Sequence, residues 1–456
     1  MTSAALDVDV IETSSLGDRS YLAHDGEVAV VVDPQRDIDR VIAEAGRLGV
    51  RITLVVETHV HNDYVSGGLE LARVTGAEYG IAAEDEPPFR HRPLHDGEVV
   101  TVSDRLRLRA VATPGHTFHH LSYVLEGGDG PVGVFTGGSL LYGTTGRTDL
   151  LGADHSEELA RHQHASARKL ADMLPDGAQI WPTHGFGSFC SATQASGESA
   201  TIGEQREINP ALTLGQQEFV EQTLAGLDAY PAYYAHMGVQ NLAGPEPVDL
   251  REPARAGKEE LARRLDAGEW VVDLRSRKAY VVSHLAGIIS VGLDGAMVTW
   301  LGWLIDWGAP ITLVGETRDD VAEAQRELAR IGIDKFAAAA TGKPEELAAD
   351  PAQLRSTATA GFADLAAARP DVVLDVRTTN EFRASHVDGA LHIPLYELTS
   401  RFGELPGGTI WVHCGSGYRA TVAASLLERA GRTDVVVVDD YFDNAADAGV
   451  RLTVPG

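Results

Sequence analysis

Cysteine is almost absent from this chain of 456 residues, where only Cys190 and Cys414 occur. They fall in different expected domains, so a structural disulfide is not expected, and the scarcity favours a reducing compartment. Lysine is nearly as rare, at Lys169, Lys258, Lys278, Lys335 and Lys343, so the basic charge is almost all arginine. No apolar run approaches the roughly 20 residues that a membrane helix needs, and Met1 to Asp9 has neither a basic n-region nor an apolar h-region. We therefore expect no membrane span and a cytoplasmic protein. Positive charge is in deficit overall, and the formal net charge of −28 argues against nucleic acid and anionic membranes as partners. The 44% hydrophobic content suits ordinary globular cores, and the length suits about three domains.

Arg51 to Val56 reads as a buried strand ending in Glu57-Thr58-His59-Val60-His61-Asn62-Asp63-Tyr64. The C-terminal mouth of a strand is where α/β folds place chemistry. On a chain that stays extended, side chains at i and i+2 leave on the same side, so His59 and His61 are expected to face one ion. Around this segment, strand patterns at Val28 to Val32 and Leu121 to Leu125 alternate with helical stretches at Ile38 to Leu48 and Gly68 to Thr75. Phe186 to Asn209, rich in Gly and Ser, reads as a surface loop before a helix over Leu214 to Leu227. Gln240 to Pro253 and Thr341 to Thr359 read as linkers, broken by Gly and Pro.

The histidine segment resembles the His-x-His-x-Asp-His motif of the metallo-β-lactamase fold. Downstream, Pro114-Gly115-His116-Thr117, then Phe135-Thr136-Gly137-Gly138 with Gly146-Arg147-Thr148-Asp149, and Pro182-Thr183-His184-Gly185 match further motifs of that family in order. The chain resembles, over almost its whole length, persulfide dioxygenases fused to rhodanese domains. That resemblance implies an α/β multidomain protein: an N-terminal αββα sandwich over residues 1–240, then two α/β rhodanese domains over 250–345 and 355–456.

Two positions depart from the family pattern. Tyr64 stands where two-metal hydrolases of this fold carry histidine, and tyrosine is a poor ligand for a second zinc. Gly138 stands where the resemblance implies the aspartate of a two-His-one-carboxylate iron site. The expected ligands are thus His59, His116 and His61, with Asp63, Asp149 or His184 as replacements for the missing carboxylate. A mononuclear ferrous ion is expected, with zinc as the alternative and no metal at all if Gly138 marks a decayed site. His119 and His120 read as ordinary satisfied or exposed histidines.

The second half of the chain repeats itself. Val272-Asp273-Leu274-Arg275…Tyr280…His284…Gly287 recurs as Leu374-Asp375-Val376-Arg377…Phe382…His386…Gly389. In the later copy a strand over Thr409 to His413 delivers Cys414-Gly415-Ser416-Gly417-Tyr418-Arg419, with a helix over Ala420 to Ala430. A thiol aimed at a helix N-terminus is favoured as thiolate or persulfide anion. Gly415 and Gly417 are expected to adopt positive φ so that N–H groups converge, and Arg419 to orient an anionic sulfur donor. The earlier copy has no cysteine; its strand Pro310 to Val314 runs into Gly315-Glu316-Thr317, and it reads as catalytically silent.

Two more residues enter as candidates. Cys190, six residues beyond His184, is expected to present sulfur near the metal pocket or to pack under its loop. Arg147 resembles the position that holds the thiol cosubstrate, or else it bonds Asp149 and loop carbonyls. The expected function is oxygen-dependent oxidation of a low-molecular-weight thiol persulfide to sulfite, coupled to sulfane-sulfur transfer by Cys414. The partners are then a persulfide, thiosulfate or thiol, with a homo-oligomer left open. Alternatives are a zinc thioester hydrolase resembling glyoxalase II and a sulfur-trafficking protein whose front domain is only a scaffold.

Overall fold

A computed structural model describes residues 6–128, 130–185, 187–192, 197 and 199–453. It divides into two compact units: Met1–Asp249 with Ala329–Gly332, and Leu250–Leu328 with Ile333–Gly456. No helix among the described residues is long and apolar enough to cross a membrane.

The first unit is built on two six-stranded sheets. One runs in chain order through Asp7–Thr13, Asp18–His24, Val28–Val32, Arg51–Val56, Glu78–Ala82 and Arg92–Leu94. The other runs Ala200–Thr201, Gln179–Pro182, Gly130–Gly137, Leu121–Gly127, Arg107–Ala112 and Val99–Thr101. Because strand side chains alternate between faces, Val30 and Val32 meet Leu108, Tyr123 and Phe135 between the sheets. Ala29 and Val31 face outward instead, against Val41 and Ala45 of the helix Asp39–Leu48 and Leu71 of the helix Gly68–Thr75. On the other sheet, Val124, Val134 and Ile180 pack under Ala160, Ala167 and Leu170 of the helix Ser156–Met173. This is an αββα sandwich, and its strand ends bring residues 33, 57–64, 113–120, 137–147 and 183–184 to one edge.

Two expectations about loops need correction. Residues 186, 193–196 and 198 of the stretch read as a surface loop lie outside the described residues, but its end is regular. Ala200–Thr201 pairs with Gln179–Pro182, and Thr201 caps the helix Ile202–Ile208 through a reciprocal bond with Glu204. In the second linker, Pro344 and Pro351 start structure rather than break it, since each sits at the first position of a short helix, Pro344–Leu347 and Pro351–Gln353, where a missing N–H costs nothing.

The second unit contains the two sequence repeats as one architecture used twice. In the first, parallel strands lie in the order Ile289–Ser290, Trp270–Asp273, Ile311–Gly315, Phe336–Thr341, with Arg255 bridging Ala339 at the far edge. In the second the order is Leu391–His392, Val372–Asp375, Ile410–His413, Val435–Val438, Ala358–Ala360. Side-chain detail repeats as well. Arg275 reaches Asp273 at 2.6 Å and Arg377 reaches Asp375 at 2.6 Å, while Tyr280 on His284 and Phe382 on His386 stack with centroids 3.9 Å apart.

Candidate metal centre and thiol site

Asp33 organises the edge of the sandwich. It follows the strand Val28–Val32 in a left-handed conformation, φ 52°, which Asp tolerates better than most residues. Its carboxylate accepts from the Thr58 backbone N–H at 2.6 Å and the Thr58 hydroxyl at 2.7 Å, and also from the Thr183 hydroxyl. Since Thr58 gives its only hydroxyl proton to Asp33, its oxygen accepts from His59 Nδ1 at 2.9 Å.

The same logic fixes two more imidazoles. His116 Nδ1 donates to the Arg147 carbonyl at 2.8 Å, and His184 Nδ1 to Asp18 at 3.0 Å. All three rings therefore turn Nε2 inward, the arrangement in which outer partners orient metal-binding histidines. The Nε2 atoms of His59 and His184 lie 3.4 Å apart. His116 Nε2 is buried with no hydrogen-bond partner. Leaving such a buried acceptor unsatisfied costs about 1–3 kcal/mol, which a bound cation would relieve. Ligand atoms of His59, His116 and His184 all fall within 4.8 Å of one another, so this donor set fits a single ion.

His61 does not complete that set. The chain at 57–64 is irregular rather than extended, and the buried carboxylates of Asp33 and Glu57 draw His61 Nε2 to 3.2 and 3.3 Å. Its Nδ1 remains unpartnered, 4.0 Å from Asp63. His61 forms a neighbouring cluster with Asp63 and His184, and another with Asp33 and Glu57. Tyr64 is buried and bonded to His61 at 3.0 Å; burial pushes its phenol well above the ordinary range, so it stays neutral.

The electrostatics separate the histidines. Burial lowers His116 to about 3 and holds His59 well below its ordinary value, with neighbouring imidazoles adding to the effect. For His184, burial works downward, but Asp63 and Asp18 outweigh it and raise it to about 10. Burial also opposes the proton on His61, which Asp33 and Glu57 nevertheless raise to about 9. A cation taking the Nε2 side of His184 must displace a proton, the usual coupling of metal binding to titration.

Gly138 and Gly146 explain the missing carboxylate. A Cβ at Gly138 would collide with the His116 ring, and one at Gly146 with the same ring and the Gly138 carbonyl. The glycine pair is the slot that seats His116. Asp149 is no replacement, because Arg147 grips it at 2.6 and 2.8 Å. Arg147 also donates to the Phe189 and Asp228 carbonyls at 3.0 and 2.7 Å, so it braces the surrounding loops. Cys190 is fully buried with Sγ 3.8 Å from the Tyr234 hydroxyl. Burial, with the charges of Asp63 and Asp18 close enough to add, pushes its thiol well above the ordinary range. His120 is satisfied by Thr113 at 2.9 Å and the Gly138 N–H at 3.1 Å; His119 is bonded to Asp85 at 2.9 Å. Asp18, Asp33 and Glu57 escaped the sequence reading. Each stands at the start or just past the end of a strand, which was the available signal.

In the second unit, the strand Ile410–His413 delivers Cys414 to the start of the helix Tyr418–Arg429. The Gly417 N–H donates to Cys414 Sγ at 3.2 Å. Gly417 has φ 91° and no room for a Cβ against Asp439. Gly415 does not adopt positive φ; its role is space, since a Cβ there would lie 3.1 Å from an Arg419 nitrogen. Arg419 is paired with Glu381 at 2.5 and 2.7 Å. In the cysteine-free copy, the Glu316 and Thr317 N–H groups both donate to Asp320 at 2.9 Å, and Asp320 N–H returns to Thr317 at 3.2 Å. A helix cap there occupies two loop N–H groups, whereas in the other copy the Gly417 N–H turns to sulfur.

A sandwich with this histidine edge defines the metallo-β-lactamase class, and residues 18–178 match the metallo-beta-lactamase superfamily while residues 359–446 match the rhodanese-like domain. The two matches thus fall one in each compact unit. Among its relatives, human persulfide dioxygenase ETHE1, mitochondrial, is 29% identical over 254 residues, covering 53% of this chain and 82% of the relative. A hydroxyacylglutathione hydrolase from a Synechococcus strain is 29% identical over 226 residues, covering 43% of this chain and 84% of its own length. A crystal structure of a metallo-beta-lactamase from Staphylococcus aureus subsp. aureus COL is 27% identical with a TM-score of 0.66, covering 75% of this chain and 100% of that one.

Proposed function

We propose that the chain is an enzyme of sulfur metabolism with two activities. The sandwich domain oxidises a low-molecular-weight persulfide, R–S–SH with dioxygen and water giving R–SH and sulfite, and Cys414 transfers sulfane sulfur. The observation that carries the first activity is the convergence of three anchored imidazoles on one point, with His116 Nε2 buried and unpartnered. His59, His116 and His184 would hold a single ion, with Asp63 and His61 beside it. A ferrous ion there would supply redox chemistry with dioxygen, which a neutral-imidazole set leaving open positions suits. The residues of the chain orient the ligands through Thr58, Asp18 and the Arg147 carbonyl, and exclude bulk water by burial.

A zinc thioester hydrolase is the second reading, supported by the hydroxyacylglutathione hydrolase relatives. Tyr64 and Gly138 weigh against it, because both positions where a two-zinc site needs ligands lack them. For Cys414, the supporting observation is its place at the start of the helix Tyr418–Arg429, with the Gly417 N–H on its sulfur. Sulfite formation from glutathione persulfide, measured against loss of oxygen, tests the oxidation; thioester hydrolysis with no oxygen uptake would favour the second reading.

A further inference from the structure

The cysteine-free repeat lies against the loop of Cys414. Tyr418, first in the helix after the loop, donates its hydroxyl to the Gly292 carbonyl at 2.7 Å. A Cβ at Gly295 would collide with the Tyr418 ring. Further along the helix, Ser425 accepts from the Ser290 N–H at 3.0 Å and Glu428 pairs with His284 at 3.0 Å. Behind the loop, Arg277 holds Asp439 at 2.8 Å, under Gly417. The loop is thus fastened from both copies.

One contact bears on chemistry rather than fastening. The Arg419 guanidinium sits over the indole of Trp300, 5.5 Å from the ring centroid, within the range of a cation–π contact. Trp300 stacks on Trp303 at 5.2 Å, and Trp303 on Tyr396 at 4.6 Å, so the indole plane is fixed from behind. Glu381 takes two N–H groups of Arg419. Of the five a guanidinium carries, no other acceptor among the described residues takes the remaining three.

We propose that Trp300, a residue of the cysteine-free repeat, is a positioning residue for sulfur transfer at Cys414. Its indole face and the Glu381 carboxylate hold the Arg419 guanidinium in one plane beside Gly415, where it meets the anionic end of the sulfur donor. This rests on the sulfur-transfer reading of Cys414. The step served is attack of the Cys414 thiolate on the outer sulfur of thiosulfate, forming Cys–S–S⁻ and releasing sulfite. Cyanide then takes that sulfur as thiocyanate and restores the thiolate.

The test compares Trp300→Phe with Trp300→Leu in the full chain, since both keep apolar bulk and only Phe keeps a π face. In thiosulfate-to-cyanide transfer, Leu is expected to raise KM for thiosulfate about three- to tenfold, the span of a partly buried cation–π contact, with kcat little changed, while Phe stays near the parent. Independently of turnover, peptide mass spectrometry reads alkylation of Cys414 by anionic iodoacetate relative to neutral iodoacetamide. That ratio falls in Leu and holds in Phe. Equal values for Phe and Leu in both assays would overturn the proposal and leave Trp300 as packing. Loss of transfer in the parent, or its persistence in Cys414→Ser, would sink the sulfur-transfer reading; the alkylation ratio would still decide the role of Trp300.

Discussion

The Nε2 atoms of His59 and His184 face one another across 3.4 Å, each ring held from behind, His59 by Thr58 and His184 by Asp18. Those anchors make the cluster a preset site. Thr58→Val keeps the shape of the side chain but removes the acceptor for His59 Nδ1. We expect metal affinity, followed by competition with a chelator, to fall about 10- to 100-fold, the usual effect of losing an outer partner. Unchanged affinity would mean that Thr58 does not orient the ligand.

Gly138 makes the opposite kind of prediction. Restoring the family's carboxylate with Gly138→Asp should not add a ligand, because the new side chain runs into the His116 ring. Metal content per chain is expected to drop. A variant that binds metal more tightly than the parent would show that the glycine slot can relax.

The two cysteines should separate cleanly. Cys414→Ser is expected to abolish transfer of sulfur from thiosulfate to cyanide while leaving oxygen uptake intact. Cys190→Ser should change neither, as its thiol is fully enclosed and strongly held protonated. Loss of oxygen uptake in Cys190→Ser would restore the sulfur-presenting role that its place after His184 invites.

Stability at acid pH should follow Asp375. This carboxylate is buried, and although burial alone would raise it, His413 and Arg377 hold it below the ordinary range. A folded value below the unfolded one means that its contribution is complete above about pH 4 and is lost as pH falls through the folded value. Asp375→Asn is expected to cost about 3–5 kcal/mol at pH 7, the result of stranding a buried guanidinium. Urea melts should show that gap narrowing below about pH 4; a constant gap would place the effect in packing.

Much of the sandwich was legible because its elements carry simple periods. Val28–Val32, Arg51–Val56 and Gly68–Thr75 fall where the residue patterns place them, and the tandem repeat announced its own architecture through Asp273 to His284 and Asp375 to His386. The orientation of His61 was not legible. A two-residue spacing fixes a side only on an extended chain, and here Asp33, distant in sequence, bends the outcome by capturing the ring. Glu381 and Trp300 were invisible for the same reason, since each reaches Arg419 through tertiary packing that no local pattern encodes.

The proposed ion depends most directly on His116, whose Nε2 is buried and unpartnered. Protein purified without oxygen should be analysed for metal and then given glutathione persulfide in an oxygen electrode, beside His116→Ala. About one iron per chain, as a mononuclear site requires, with oxygen consumption that disappears in the variant, is the predicted result. No bound metal and no oxygen uptake, while Cys414 still transfers sulfur, would contradict it and leave the sandwich domain as a scaffold.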